Sequence, residues 1–268
     1  MISAHQPPAS LGGEFRVLLS SVGDGNMSHR HSRDATTHIS TFARVNGLEY
    51  SNDLIILSPS QIGRPQAIGW AEGDKRMNKW AKDQYGRMML DSLLLPPGYH
   101  GLVVCPTCDC PVIICRSISD GHLAVVHASR PALAQGILTS TLSLMIPPLV
   151  CWVGPMVGQT DYSFPRRNAR SLVGVGDLKP VEYFDQTRSE VIHVDLEASI
   201  DCILNRFEVA RIGGSAIRTS EDDRYYSLRR RRRGGEEAGC HAVFVGSSQR
   251  SGGGVDGGGP PVGVGVRP

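Results

Sequence analysis

Thirty consecutive residues, 131–160, carry no charged side chain. A stretch of that kind has two resting places, the lipid bilayer or a protein core. It is long enough to cross a bilayer, which takes about 20 apolar residues, so a single-pass span near 132–157 is one reading. Arg166, Arg167 and Arg170 follow closely and would place the C-terminal half in the cytosol. Gln135, Thr139, Ser140, Thr141, Ser143 and the tandem Pro147-Pro148 oppose a span. Two adjacent prolines remove two backbone donors, and a lone helix in lipid has no neighbour to repair the loss. Splitting the run at the prolines gives a ten-residue helix over 137–146 and a short apolar segment. Burial in a core is the favoured reading.

The rest of the chain fits an α+β or mixed α/β small core with long disordered N- and C-terminal segments. Residues 1–50 are polar and weakly periodic and read mostly as loop or disorder. The core is expected over 51–215, beginning with a buried strand at Leu54-Ile-Ile-Leu57. A helix is expected near 75–95, capped by Asp74, with one stripe through Met77, Trp80, Ala81, Tyr85, Met88, Leu94 and Leu95, and stopped by Pro96-Pro97. A second helix is expected near 188–212. Thr187 and Glu190 have capping-box spacing, Ile192, Leu196, Ile200, Ile203, Phe207 and Ala210 form a stripe, and Gly213-Gly214 ends it. A rival reading makes residues 191–194 a strand and starts the helix near Ser199. Residues 216–268 form an Arg/Gly-rich tail with too little apolar area to offset chain entropy, and disorder is expected there.

Whole-chain charge excludes little: 28 Lys+Arg against 26 Asp+Glu leaves +2. The basic residues are nonetheless skewed, 24 Arg to four Lys, and five of the arginines are consecutive. Arg229, Arg230, Arg231, Arg232 and Arg233, preceded by Tyr225 and Tyr226, could grip phosphates bidentately and stack on unpaired bases. RNA or an acidic protein is the partner this motif suggests, and a basic run of this length also suits nuclear import. Seven cysteines, four of them within 105–115, do not make a spread, even disulfide framework. Reduced thiols in an intracellular setting, nuclear or cytoplasmic, are expected, and secretion is not.

Cys105 and Cys108, followed by His122 and His127, have the spacing C-x2-C-x13-H-x4-H, and two thiolates with two imidazoles suit tetrahedral zinc. Residues 101–104 and 112–115 could be two strands, with Ser119 or Asp120 capping a short helix. This stretch of about thirty residues resembles a single C2H2 zinc finger, which implies a structural zinc site. Val112 stands where the finger's aromatic belongs, and the helix start lacks base-reading side chains. Cys105 and Cys108 also resemble a dithiol redox motif, but Pro111 would break the helix that chemistry needs. No nucleophile–base–orienter set, phosphate loop or metalloprotease motif is readable. The expectation is therefore a non-enzymatic orphan that binds through its Arg-rich tail and needs no cofactor. A membrane span and a zinc site are its alternatives.

Overall fold

Strands that are covered on both faces have no reason to alternate, and the three strands at the heart of this protein do not. Leu102–Thr107 (β5), Val112–Ser117 (β6) and Leu123–His127 (β7) are buried along almost their whole length, which explains their continuous apolar runs. The computed structural model describes residues 15–29, 31–48, 54–57, 67–70, 89–165, 180–181, 191–214, 217–234 and 238–247.

A four-stranded sheet runs β1-β13-β5-β2, with β1 at Phe15–Leu19, β2 at Leu54–Ile56 and β13 at His241–Ser247. A six-stranded sheet runs β12-β8-β6-β7-β4-β3. Its further members are β3 at Ala67–Trp70, β4 at Ser92–Leu95, β8 at Leu149–Val153 and β12 at Ala210–Gly214. A small third sheet joins β10 (Pro180–Val181), β11 (Val191–Val194) and β9 (Ser163–Pro165).

The apolar clusters show how the layers stack. Val103, Cys105 and Val243 from the four-stranded sheet meet Leu93, Ile114 and Val125 from the six-stranded one, so the two sheets face each other. The outer face of the four-stranded sheet (Leu102, Val104, Phe244) is covered by Ile39, Phe42 and Ala43 of helix α1, Ala35–Val45. The outer face of the six-stranded sheet (Ile113, Cys115, Val126) is covered by helices α2 (Arg130–Ala134), α3 (Ile137–Leu142) and α4 (Leu196–Arg206). The order is helix, sheet, sheet, helices, an extended form of the layered packing that buries one face of every element.

The mixed α/β core is as expected, but several elements differ. The charge-free run is neither a span nor one helix. It folds as α2, α3 and β8, with Pro147-Pro148 as a cis pair between α3 and β8. Among the described residues no helix is long and apolar enough to cross a membrane. One of the hydroxyls that opposed a span is satisfied inside the protein: Thr141 Oγ1 donates to the Ile137 carbonyl and lies 2.8 Å from Ser92 Oγ. Of the helix expected near 75–95, its last four residues are strand β4, and 75–88 lie outside the described residues.

The helix expected near 188–212 is strand, helix, strand. Residues 191–194 form β11, Asp195 caps α4 by accepting from the Ala198 amide at 2.9 Å, and Ala210–Gly214 forms β12. The side-chain cap of α4 comes from Asp195, Thr187 and Glu190 lie outside the described residues, and the apolar residues of 191–194 pack as a strand (Ile192, Val194) into the same cluster as α4. The expected terminal disorder is also corrected in part. β1 and β13 pair with each other along five residues, and β13 pairs with β5 along six. The sequence of 241–245 is short, but every residue of it is buried.

Candidate active site

Strand β7 runs antiparallel to both of its neighbours, β4 and β6. The last residue of β7 therefore lies beside the first residues of the other two. His127 ends β7, Asp91 precedes β4 by one position, and Cys110 precedes β6 by two. The register makes Val112 the partner of His127 and Ser92 the partner of Val126, and the His127 amide donates to the Asp91 carbonyl at 2.7 Å. Sheet pairing alone thus brings a thiol, an imidazole and a carboxylate together.

His127 is 4% exposed and Asp91 2%. The imidazole Nδ1 lies 3.3 Å from Asp91 Oδ1, and Cys110 is close enough to influence the ring. Burial alone would pull the imidazole down. The Asp91 carboxylate bonded to the ring, together with the neighbouring Cys110, outweighs it and pushes His127 up to about 9. His127 therefore holds its proton at neutral pH. Cys110 is only half-buried, and its carbonyl accepts from Thr107 Oγ1 at 2.5 Å.

An aromatic wall stands near the thiol. Tyr162 is buried, with burial and the neighbouring Cys110 pushing its phenol up, and its ring meets Phe164 edge-on at 4.7 Å. The Arg229 guanidinium sits 4.8 Å from the Tyr162 centroid and 4.7 Å from that of Phe164, and Arg130 lies 4.5 Å from Phe164.

Arg229 is held there by the residue next to Cys110. The buried Asp109 carboxylate accepts from Thr219 Oγ1 at 2.8 Å, Ser227 Oγ at 2.7 Å and the Arg229 amide at 3.0 Å. Replacing Asp109 with Asn trades one acceptor oxygen for a donor that faces donors. The expected result is a loss of about 1–3 kcal/mol in chemical denaturation and faster tryptic cleavage within 217–234. Unchanged cleavage would show that Asp109 does not fasten the segment.

The expected site residues land in different places. Cys105 is fully buried on β5, where burial pushes its thiol up. Cys108 lies in the β5–β6 turn against Cys240. His122 precedes β7 and pairs with Asp120, 2.9 Å from Nδ1 to Oδ2, while His127 ends the same strand, about 17 Å of strand rise away. The zinc-finger unit is not formed: residues 101–104 and 112–115 belong to strands in different sheets, and strand β7 stands where the helix was expected. Among the described residues no group of three or more His, Cys, Asp or Glu side chains could hold a metal ion, so zinc gains no support.

The arginine run is a short helix, α5 at Leu228–Arg232, with several side chains turned to the protein. Arg230 donates to the carbonyls of Thr219, Asp222 and Tyr225, and Arg233 pairs with Asp161. Arg231 and Arg232 are exposed. Tyr225 is buried edge-on against His241, and the Tyr226 ring lies so close to Gly239 that a Cβ there would strike it. His127 is the one expected ligand, and Arg229 the one expected binding residue, that belong to the new site. Cys110, Asp91, Asp109 and Tyr162 went unrecognised. The available signal was a polar residue at the end of each of three apolar strands.

The model of a family described as multi-copper polyphenol oxidoreductase laccase matches residues 85–247, more than half of the chain. No curated protein sequence matches. Three solved structures share the fold. The Neisseria meningitidis protein NMB0706 is 16% identical with a TM-score of 0.69, over 92% of this chain and all of that one. YlmD from Geobacillus stearothermophilus is 17% identical with a TM-score of 0.68, over 89% and 94%. The Bacillus licheniformis protein YfiH is 14% identical with a TM-score of 0.67, over 87% and 92%.

Proposed function

The chain belongs to the multi-copper polyphenol oxidoreductase laccase family, and from that premise we propose that it is an enzyme acting on a small planar aromatic substrate at Cys110, His127 and Asp91. Membership overturns the expectation of a non-enzymatic orphan. The observation that carries the reading is the buried His127 imidazole paired with the Asp91 carboxylate at the sheet end where Cys110 also lies.

Copper, which the family description carries, does not fit the described residues. Cys110 and His127 are suitable soft and borderline donors, but Asp91 is engaged on the far ring nitrogen and no third ligand joins them among the described residues. The same three groups suit acid–base and thiol chemistry instead. Asp91 orients the ring by accepting from Nδ1–H, which leaves Nε2 to face Cys110 and the substrate. Cys110 Sγ, as the thiolate paired with the protonated His127 ring, attacks the acyl carbon that the ring's oxygen or nitrogen carries, and the bond from that carbon to the oxygen or nitrogen breaks. His127 gives its proton to that departing atom; water then cleaves the acyl–sulfur bond, returning one proton to His127 and releasing the acyl group as its acid. Arg130 and Arg229, held over the Tyr162 and Phe164 rings, favour a substrate that is electron-rich or anionic.

A panel of chromogenic phenyl esters and anilides tests the reading. The purified chain is expected to convert members of the panel, and Cys110→Ala to lower the rate by about 10²–10⁴-fold. Cys202→Ala, which changes a thiol on α4, is expected to leave the rate as it was. No conversion by the unaltered chain, or an undiminished rate in Cys110→Ala, overturns it.

A further inference from the structure

No two of the seven cysteines are joined in a disulfide, and the five on or next to the paired strands β5, β6, β8 and β13, Cys110 aside, sort into three situations. Cys105 is fully buried. Cys115 and Cys151 face each other as register partners on β6 and β8, and both are fully buried too. Cys108 and Cys240 are half-buried, come from positions 132 apart in the chain, and bring their sulfurs to 3.0 Å.

We propose that Cys108 and Cys240 are an oxidative modification site, at which an intramolecular disulfide ties the turn carrying Cys110 to the start of β13. The backbone already holds both sulfurs in place. Cys108 Sγ donates to the Gly239 carbonyl at 2.7 Å. Cys240 is fixed on both sides of its peptide: its amide donates to Asn26 Oδ1 at 3.1 Å and its carbonyl accepts from the Met27 amide at 2.9 Å. A disulfide needs the sulfurs about 2.05 Å apart, so the approach left to make is about 1 Å. The C-x2-C spacing of the sequence suggests Cys105 as the partner of Cys108, but Cys105 lies inside the sheet sandwich and Cys240 is the sulfur in contact.

The oxidant is a peroxide. It converts the Cys240 thiol to a sulfenic acid and leaves as water. The Cys108 sulfur then displaces the hydroxyl, and its own proton departs with that oxygen as a second water. Two thiols thereby lose two hydrogens and two electrons to the O–O bond. The site stands whether or not Cys110 is a nucleophile.

The test treats the folded full-length chain with hydrogen peroxide, quenches by alkylation under denaturing conditions, and maps peptides without reduction. The expected product is one linked pair, Cys108 with Cys240, about 2 Da lighter than the two thiols, that reverts with dithiothreitol. Cys105, Cys115 and Cys151 are expected to be recovered alkylated. In Cys240→Ser, Cys108 is expected to form no intramolecular link. A Cys108–Cys110 or Cys108–Cys105 link, or over-oxidised Cys108 and Cys240 without a link, overturns the proposal. The mapping of the unaltered chain decides it even if the Ser variant fails to fold.

Discussion

Asp91→Asn lowers turnover by about 10²–10⁴-fold while the chain stays folded at neutral pH. Asp91 touches no substrate in this account. It acts through His127, by accepting from Nδ1 at 3.3 Å and by placing a negative charge beside a buried ring. An amide supplies no charge and can orient the ring the wrong way round, with its NH2 group donating to Nδ1. The substitution therefore removes both the tautomer control and the electrostatic support for the imidazolium. Its distinctive readout is the pH profile. His127 is raised from 6.5 to about 9, so the acid form persists through neutral pH and turnover falls as pH rises through about 9. In Asp91→Asn that alkaline limb moves down. The same shift sets a stability term of defined sign: with the folded value above the unfolded one, the pairing stabilises fully below pH 6.5 and is lost as pH climbs through about 9. A merely structural Asp91 would lower the rate without moving the limb.

Phe244→Ala destabilises the chain by about 3–5 kcal/mol, the cost of emptying a fully buried aromatic site, and lowers the melting temperature by on the order of 10 °C. Phe244 is fully buried, and its ring packs on Phe42 of α1 with centroids 4.4 Å apart. Its strand, β13, lies between β1 and β5. The void would open in the cluster that joins α1 to the four-stranded sheet, and the substitution tests directly whether 241–247 belongs to the core. Urea denaturation monitored by circular dichroism gives the answer. A chain whose residues 216–268 were all disordered would show no change.

How much of this was legible depended on how local each signal was. The buried strands β5 and β6 announced themselves, because a strand covered on both faces is a continuous apolar run within a few residues; β7 is just as apolar, but the cysteine–histidine spacing around it suggested a finger helix there. The charge-free run announced burial but not its form. Apolar content says that a segment leaves water, and the cis Pro147-Pro148 pair and β8 depend on the partners waiting for them. β13 was hidden by its surroundings: five buried residues sit within a glycine- and arginine-rich stretch, and their partners are in β1 and β5, far away in sequence.

The site was hidden for the same reason. His127 stood out, but its sequence neighbours suggested cysteine–histidine metal spacing. Its actual partners are Asp91, 36 residues earlier, and Cys110, and antiparallel register brings them to one edge. Arg229 was noticed as one of five like charges. Its position over Tyr162 and Phe164 comes from the Asp109 carboxylate, which no local pattern marks.

The coupling of Cys110, His127 and Asp91 into one reacting unit is tested most directly by titrating the His127 ring in the chain labelled with nitrogen-15 at histidine. The account predicts a midpoint near 9, falling in Cys110→Ala and falling in Asp91→Asn. A midpoint at the ordinary histidine value, or one that neither substitution moves, would contradict it.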